Sequence, residues 1–362
     1  MFPYIIVAFI SCVSLFFAVY LKDNKSSGYH FFIAVALFPL VMLAAYRGQW
    51  VGTDTYTYLE LWNNVEFRSF ENKSILFSEP AFHLLEVITR YISKNTFFGH
   101  EVFLGSISIL VCSLCLSSIL KHANFKSFSW LLFILLGVYT FHFNGARQAI
   151  AIALFMFSLR FIINRNFILF ILVVLLGFFF HKSMLVCLPF YFLYGKKLDY
   201  KQVLLIVVLS VLVAISITSI VEVASEYDAR YKSYADGNSS GGGLVTVLFN
   251  SALLVWLWMS KRFCSIEDRI YDLSLLMMLI AVCIGWMSVI LSLNPSGILR
   301  LSMYFTQFVI FSLPLSVMYY KRGGTRAFVL TSVLLVLFVY FYLTTTSFSG
   351  LAPYRLGVEL YF

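Results

Sequence analysis

Apolar runs long enough to cross a lipid bilayer recur along the whole chain, and they constrain its fold more than any other feature. Of its 362 residues, 61% are hydrophobic and 12% are charged, whereas a soluble domain has about 45–50% apolar and roughly 25% charged residues. A water-soluble fold could not bury so much apolar surface. The sequence therefore predicts an all-α protein that crosses the membrane many times, as a single domain over residues 1–362.

Charged residues divide the sequence into about twelve predicted spans, most of them near the roughly 17–25 residues that a spanning helix needs. The first is expected to be retained, because it lacks the charged start and the cleavage site of a signal peptide. The predicted spans are Phe2–Leu21, Phe31–Tyr46, Val102–Leu120, Ser129–Phe141, Ala146–Ile163, Phe167–Phe180, Ser183–Tyr194, Val203–Ile220, Leu244–Met259, Tyr271–Leu293, Leu301–Tyr320 and Ala327–Leu343.

The basic residues predict the orientation of these spans. One set of alternate loops carries 15 Lys and Arg against five acidic residues, and the other carries 11 against 12. Loops rich in Lys and Arg stay on the cytoplasmic side. Both termini and the two long loops, 47–101 and 221–243, are therefore predicted to lie outside.

The net charge of +9 and the six cysteines do not indicate a further partner or binding site. The topology accounts for the excess of cations, so nucleic acid is not expected as a partner. The cysteines lie mostly inside apolar runs, with no visible disulfide framework, zinc site or other metal site. The sequence predicts no cofactor.

The two long outer loops differ in character. In the first, Ser78-Glu79-Pro80 predicts the start of a helix. Its apolar residues Ala81, Leu84, Leu85, Ile88 and Ile92 share one face, which favours a helix lying at the membrane surface. The second loop ends in a Gly- and Ser-rich stretch that is typical of flexible chain.

A short helical hairpin is predicted over residues 167–194. Each arm has about 12–14 residues, or roughly 18–21 Å of helix, which is less than the bilayer core of about 30 Å. The turn at His181-Lys182 should therefore be recessed within the protein.

Four cations break the charge pattern at the predicted outer ends of spans: Arg47, Arg147, Lys182 and Arg300. Each could reach outward to lipid phosphates or cap a helix. Taken together, they favour a site for a phosphate or diphosphate group, since guanidinium groups bind phosphate oxygens in pairs.

Polar and aromatic residues follow the first of these cations, in Tyr46-Arg-Gly-Gln-Trp-Val-Gly-Thr-Asp-Thr-Tyr. Asp54 offers a carboxylate, with helix capping as the simpler alternative. Trp50 and Tyr56 offer rings for stacking against sugars. Tyr231, in the second long loop, lies in a similar aromatic and cationic patch, although loop tyrosines are also common at membrane interfaces.

Three motifs in order resemble the EpsG-like branch of the Wzy-type polysaccharide polymerases. They are Arg47 with Val51-Gly-Thr-Asp-Thr, then Gly145-Ala-Arg-Gln-Ala-Ile-Ala, then Phe180-His-Lys-Ser. The resemblance runs from about Tyr46 to Tyr320. It implies a GT-C-like, metal-independent enzyme of the bacterial inner membrane whose active site faces the periplasm.

The resemblance also implies a substrate, and the chemistry of that reaction assigns roles to the candidate residues. The enzyme would join oligosaccharide units carried on undecaprenyl diphosphate into O-antigen, capsule or exopolysaccharide. Its partners would be membrane lipids and the flippase and chain-length regulator of the same pathway. Arg47, Arg147, Lys182 and Arg300 would stabilise the leaving diphosphate. Gln148, Tyr56 and Tyr231 would contact substrate. Asp54 is the first choice for the base, followed by His181 and His142.

Three other functions compete with this interpretation. A flippase for lipid-linked oligosaccharides would also need cations, but on both sides of the membrane. A membrane acyltransferase would need a buried histidine in a motif that is not seen here. An O-antigen ligase performs nearly the same chemistry and differs mainly in its acceptor.

Overall fold

The computed structural model describes residues 1–24, 26–65, 79–96, 98–210, 243–290, 298–320 and 323–357, where every regular element is helical. The predictions for Ser78, for Tyr231, for residues 211–242 and for residues 291–297 therefore concern positions outside the described residues. The helices are α1 Phe2–Asp23, α2 Tyr29–Ala45, α3 Thr55–Asn63, α4 Pro80–Lys94, α5 His100–His122, α6 Lys126–Leu135, α7 Ala146–Ile163, α8 Phe167–Phe180, α9 Tyr200–Ser210, α10 Leu244–Cys264, α11 Arg269–Ile290, α12 Ile298–Thr306, α13 Val309–Met318 and α14 Gly324–Leu343. Short 3₁₀ helices cover Thr140–Phe143 and Lys182–Phe192.

The prediction of an all-α, multi-pass membrane protein is confirmed. Within the described residues, seven helices are long and apolar enough to cross a membrane, or up to eight if the bent pair of α12 and α13 counts as one span. Four further apolar helices are shorter: α2, α8, the 3₁₀ helix after it, and α9. Each of these overlaps a predicted span. The total of twelve crossings and the GT-C-like arrangement stay predictions.

The described helices form two compact units, Met1–Leu188 with Ala327–Phe362, and Pro189–Arg326. In the first unit α7 is the most enclosed helix, with 72% of its span buried. Its sequence places alanines at 146, 149, 151 and 153, and small residues let neighbouring helices approach closely in a membrane. In contrast, α8 is apolar on all sides and keeps most of its surface exposed, as expected for contact with lipid.

Polar side chains tie the helices of this first unit together. Trp130 Nε1 donates to Ser11 Oγ (2.8 Å), and Ser11 in turn donates to the carbonyl of Ala36 (2.6 Å). The hydroxyl of Tyr139 donates to the carbonyl of Leu40 (2.6 Å). Such hydrogen bonds between helices stabilise packing where lipid supplies no hydrophobic driving force.

The predicted surface helix begins at Pro80 as expected, and its orientation is unusual. Its large apolar side chains Leu84, Ile88 and Ile92 are exposed, whereas its polar residues Glu86 and Thr89 are buried. A helix that turns apolar residues outward matches an interface with lipid. Its buried polar face is therefore available to build a site inside the protein.

Both arms of the predicted hairpin are helical, and the recessed position of its turn stays a prediction. Helix α8 has 14 residues and ends at Phe180. The backbone of His181 is extended, and the 3₁₀ helix starts at Lys182. A Cβ on Gly177 would lie 2.8 Å from Met184 Cγ, so the two arms pack against each other at the glycine.

In the second unit, α10, α11 and the bent pair pack side by side. The bend between α12 and α13 is 50° and falls at Gln307 and Phe308. Ser274 Oγ donates to the carbonyl of Phe308 (3.0 Å) at this break. Lys261 and Asp272 form an ion pair between α10 and α11.

Candidate functional site

One end of the first unit collects polar groups from many helices. Contacts at this end join the start of α1, the end of α2, α3, the start of α4, the start of α7 and the end of α8. The basic residues Lys22 of α1 and Arg160 of α7 lie in the last turns of these helices, at their opposite ends. We call the end of the first unit where these contacts gather the polar end.

The central feature of the polar end is a buried carboxylate shared by two predicted site residues. Arg147 Nη1 donates to Glu79 Oε2 at 2.6 Å, and His181 Nδ1 donates to Glu79 Oε1 at 2.6 Å. The side chains of Glu79, Arg147 and His181 are 8%, 21% and 31% exposed. We call these three residues the central cluster. Its carboxylate is buried, whereas its histidine is partly exposed.

The local sequence explains how each member is positioned. Glu79 precedes Pro80 at the N-terminal end of α4, where Pro is favoured and a negative charge is stabilised. Arg147 is the second residue of α7, and its guanidinium lies 5.1 Å from the Phe82 ring centroid. His181 lies at the junction between the two arms of the hairpin.

The charges of the cluster hold Glu79 in its ionised form. Burial alone raises the pKa of Glu79, but the hydrogen bond from His181 and the charge of Arg147 outweigh it, so the pKa lies below its usual value. An ionised carboxylate only accepts hydrogen bonds, so Nδ1 of His181 carries a proton. When the ring is neutral, Nε2 is therefore the basic nitrogen.

Arg47 lies deeper than predicted for a substrate contact. Its side chain is fully buried, with Nε donating to Thr55 Oγ1 (3.1 Å) and Nη1 donating to the carbonyl of Ala44 (2.9 Å). Its guanidinium lies 4.2 Å from the Phe143 ring centroid. Burial lowers the pKa of Arg47 to about 10, so it stays charged at neutral pH. Its role in binding diphosphate stays a prediction.

The C-terminal residues 349–357 fold over the loop that follows Arg47, and we call this contact the clasp. Gly48 N donates to the carbonyl of Arg355 (2.8 Å), and Gly357 N donates to that of Tyr46 (2.9 Å). The side chain of Asn144 joins both segments, accepting from Thr53 N (2.9 Å) and donating to the carbonyl of Ser349 (2.7 Å). The tail thereby fixes residues 47–54, between α2 and α3, which we call the Arg47 loop.

Glycine is required at one point of this loop. Gly52 has a φ of +93°, a left-handed conformation that residues with a Cβ rarely adopt. A Cβ there would also lie against the side-chain oxygen of Asn144. The glycine of the Val-Gly-Thr-Asp-Thr motif therefore follows from the backbone geometry under the clasp.

Asp54 and Tyr58 connect the loop with the central cluster. Asp54 is at the N-cap position of α3, makes no capping hydrogen bond with its side chain, and accepts from Thr53 Oγ1 (2.8 Å). One turn later, the hydroxyl of Tyr58 accepts from Ala146 N (3.1 Å), next to Arg147. Asp54 thus belongs to the polar end, and its catalytic role stays a prediction.

His142 is enclosed rather than open. It is fully buried in the 3₁₀ helix before α7, where Nδ1 donates to the carbonyl of Tyr139. Its Nε2 has no hydrogen-bond partner in the described part of the chain. This position suits a structural residue beneath the loop better than the base of a reaction, and its proposed role as a third base is not tested.

The other predicted contacts fall into three groups. Gln148 is buried within α7, whereas Lys182 is exposed beside His181. Tyr56 and Trp50 are stacked, with ring centroids 5.6 Å apart, and both are exposed. Arg300 belongs to the second unit, on α12, and Tyr231 lies outside the described residues. The structure therefore brings Arg147 and His181 together through Glu79, and Lys182 follows His181 directly in the sequence.

Glu79 was not predicted as a site residue, because its sequence neighbours indicate only the start of a helix. Two signals were present. First, Glu79 is a carboxylate beside a proline in a predicted outer loop. Second, the motifs that contain Arg147 and His181 lacked an acidic partner in the prediction. Neither signal identifies the partner, which depends on contacts across 68 and 102 residues of sequence.

Comparisons with known proteins add one match. A model described as the EpsG family matches residues 29–356, which include the Arg47 loop, the central cluster and most of the clasp. No curated protein and no solved structure matches the chain.

Proposed function

The chain belongs to the EpsG family, a family of Wzy-like polysaccharide polymerases, and from this we propose that it joins lipid-linked oligosaccharide units on the periplasmic face of the bacterial inner membrane. The donor would be a growing chain on undecaprenyl diphosphate, and the acceptor a single lipid-linked unit. One observation carries the proposal beyond the family: the buried carboxylate of Glu79 bridges Arg147 and His181 at the open side of the polar end.

The reaction forms one bond and breaks one. A hydroxyl oxygen of the acceptor sugar attacks the anomeric carbon of the donor, and the bond from that carbon to the lipid diphosphate breaks. The hydroxyl proton must leave as the new bond forms, and the diphosphate must leave with its negative charge stabilised. The site therefore needs a base and a cationic group close together.

His181 is proposed as the base that accepts the hydroxyl proton at Nε2. Its hydrogen bond to Glu79 fixes which nitrogen carries the proton and orients the ring, as carboxylates do for histidines in other enzymes. The geometry favours His181 over Asp54, whose carboxylate is engaged by the neighbouring Thr53 hydroxyl. Asp54 remains the second candidate.

Arg147 and Lys182 are proposed to stabilise the leaving diphosphate. Arg147 is held by Glu79 and lies near the rings of Phe82 and Tyr58, so it is preorganised before substrate binds. Lys182 follows His181 directly and is exposed. Arg47 lies behind them, where its buried charge adds to the positive potential of the polar end.

Deleting the gene and separating the surface polysaccharide on a gel tests the proposal. A ladder that collapses to a single repeat unit is expected. Complete loss of surface-linked sugar would indicate a flippase or a ligase instead. Purified protein with lipid-linked units should also form polymer in excess chelator, and polymerisation that requires added Mg²⁺ or Mn²⁺ would contradict charge stabilisation by side chains alone.

A further inference from the structure

A cavity lies in the first unit, away from the central cluster. It has a volume of about 390 Å³ and is built from the loop after Arg47, the C-terminal half of α3, the C-terminal half of α4 and the start of α5. This volume falls within the range of small-ligand sites, about 300–1,000 Å³. We call it the α3–α4 pocket.

The lining of the α3–α4 pocket combines polar groups with the apolar residues Leu59, Trp62 and Phe98, in a chain that is otherwise strongly apolar. Gln49, Asn63, Ser93 and Thr96 supply amides and hydroxyls, and Arg90 supplies a positive charge. None of the described lining residues is acidic. Amides and hydroxyls both donate and accept, as the hydroxyls of a sugar do, so the lining is suited to a saccharide.

Arg90, the cation of this pocket, is held in place. Its guanidinium lies 4.6 Å from the ring centroid of Trp62. Trp62 is itself fixed, because its Nε1 donates to Thr89 Oγ1 (3.0 Å) and its other neighbour is the ring of Phe103. A fixed guanidinium costs less conformational entropy when a ligand binds.

Helix α4 connects the pocket with the central cluster, and α3 contacts α4. Glu79 and Arg90 are separated by 11 positions on α4, or about 16 Å at 1.5 Å per residue. On α3, Tyr56 and Asn63 are seven positions apart and so share a face. The exposed stack of Trp50 and Tyr56 therefore lies on the side of α3 that leads to the pocket.

We propose that the α3–α4 pocket binds sugar residues of the polysaccharide chain at a distance from the bond being made. The Trp50–Tyr56 stack would support the polysaccharide chain between the central cluster and the α3–α4 pocket, since aromatic faces pack against sugar rings. This inference rests on the proposed polymerase activity. A distal sugar subsite would hold the chain between successive additions, and it would therefore raise the length of the product more than the rate of the first coupling.

Filling the pocket tests the proposal. Asn63→Trp and Ser93→Trp place a large side chain in it, and Thr57→Trp is the matched control, because Thr57 is exposed on α3 and does not line the pocket. Purified variants are given lipid-linked repeat units, and the first coupling and the chain-length distribution are measured. The pocket variants should lose long polymer about tenfold more than they lose first coupling, and Thr57→Trp should match the unmodified protein. Equal loss of both in the pocket variants, or polymer of normal length, would overturn the proposal.

Binding of a lipid-free ligand gives an independent readout. Oligosaccharides released from the host's own surface polysaccharide should show saturation-transfer NMR signals with the purified protein, and both pocket variants should weaken binding roughly tenfold. A short-chain anionic phospholipid should not compete. Competition by that phospholipid would make the pocket a lipid headgroup site, and unchanged binding by the variants would also refute the subsite. If the unmodified protein binds the oligosaccharides but joins no units, the polymerase proposal fails and the pocket remains.

Discussion

At the scale of single residues, the central cluster depends on one carboxylate with two partners. Glu79 accepts from both Arg147 and His181 at 2.6 Å, so a change in any one of the three alters the other two. Removing one member of a buried charged pair leaves the other charge poorly compensated, which costs more than the pair itself contributes. The three residues are therefore expected to behave as a unit in mutational tests.

Glu79→Gln should abolish most activity and destabilise the protein. The amide can still hydrogen-bond, but it no longer fixes the His181 tautomer, and a loss of about 10²-fold or more in coupling rate is expected. Because the pKa of Glu79 is lowered in the folded protein, its carboxylate stabilises the fold at pH values above about 4.5, and that contribution is lost as the pH falls further. The stability difference between Glu79→Gln and the unmodified protein, about 1–3 kcal/mol, should therefore shrink in acid.

Coupling assays and thermal unfolding in detergent at several pH values measure both effects. Glu86→Gln is the matched control, since Glu86 is a buried carboxylate on the same helix that pairs with His83 at 3.3 Å. If Glu86→Gln reduces coupling as much as Glu79→Gln does, the loss reflects general destabilisation of α4 and not the cluster.

Arg147→Lys should insert normally and yet lower coupling by about 10²–10³-fold. Lysine keeps the charge and can still contact Glu79, but it lacks the planar group with several donors that serves a carboxylate and a phosphate at once. Arg160→Lys is the control, because Arg160 is the other arginine of α7 and donates to Ser117 Oγ at the opposite end. Polymer of normal length from Arg147→Lys at equal protein level would mean that position 147 supplies only charge.

At the scale of elements, the clasp is the contact that gives the Arg47 loop its shape. Six hydrogen bonds join residues 349–357 to α1, α2, the loop and Asn144, at distances of 2.7–2.9 Å. The loop has few apolar residues of its own to bury. Its conformation therefore depends on a segment that follows it by about 300 residues in the sequence.

Deleting residues 349–362 should loosen the loop without removing any spanning helix. At about 0.5–1.5 kcal/mol for each net hydrogen bond, the loss amounts to roughly 3 kcal/mol or more, and coupling should fall with it. The unfolding temperature, protease access near Trp50 and coupling rate are the measurements. Deletion of residues 358–362 alone leaves the clasp and is the control. A protein without 349–362 that retains its unfolding temperature and its activity would show that the clasp is dispensable.

At the scale of the whole molecule, the position of the polar end relative to the membrane decides which compartment supplies the substrate. The clusters of Lys and Arg lie at the ends of α1, α5 and α7 opposite to Glu79 and Arg147. The rule that basic loops stay cytoplasmic then predicts that the polar end faces outward. This matches a reaction on units that have already crossed the membrane.

Cysteine labelling tests this orientation. The six native cysteines are replaced, and single cysteines are placed at Lys197, in a basic loop, and at Ser240, in the second long loop. An impermeant thiol reagent added to intact spheroplasts should label position 240 and spare position 197, and both should react after lysis. Labelling of position 197 in intact cells would reverse the predicted topology and place the polar end in the cytoplasm.

The sequence alone determined the class of fold, most helix positions and two of the three members of the central cluster. Long apolar runs have few alternatives in a bilayer, because every backbone group must be hydrogen-bonded within a helix. The start of α4 at Pro80 and the short first arm of the hairpin followed from local rules for capping and length. Arg147, His181 and Lys182 were found because charge at an apolar depth is costly and therefore needs a reason.

Only the tertiary structure decided which of these residues meet. Glu79 looked like an ordinary helix start, and its partners come from α7 and the hairpin. The burial of Arg47, the clasp and the α3–α4 pocket likewise depend on segments that are distant in sequence. Periodicity and charge patterns report on neighbours along one helix, whereas a site at the end of a bundle is set by the packing of several helices, and that packing leaves no regular pattern in the sequence.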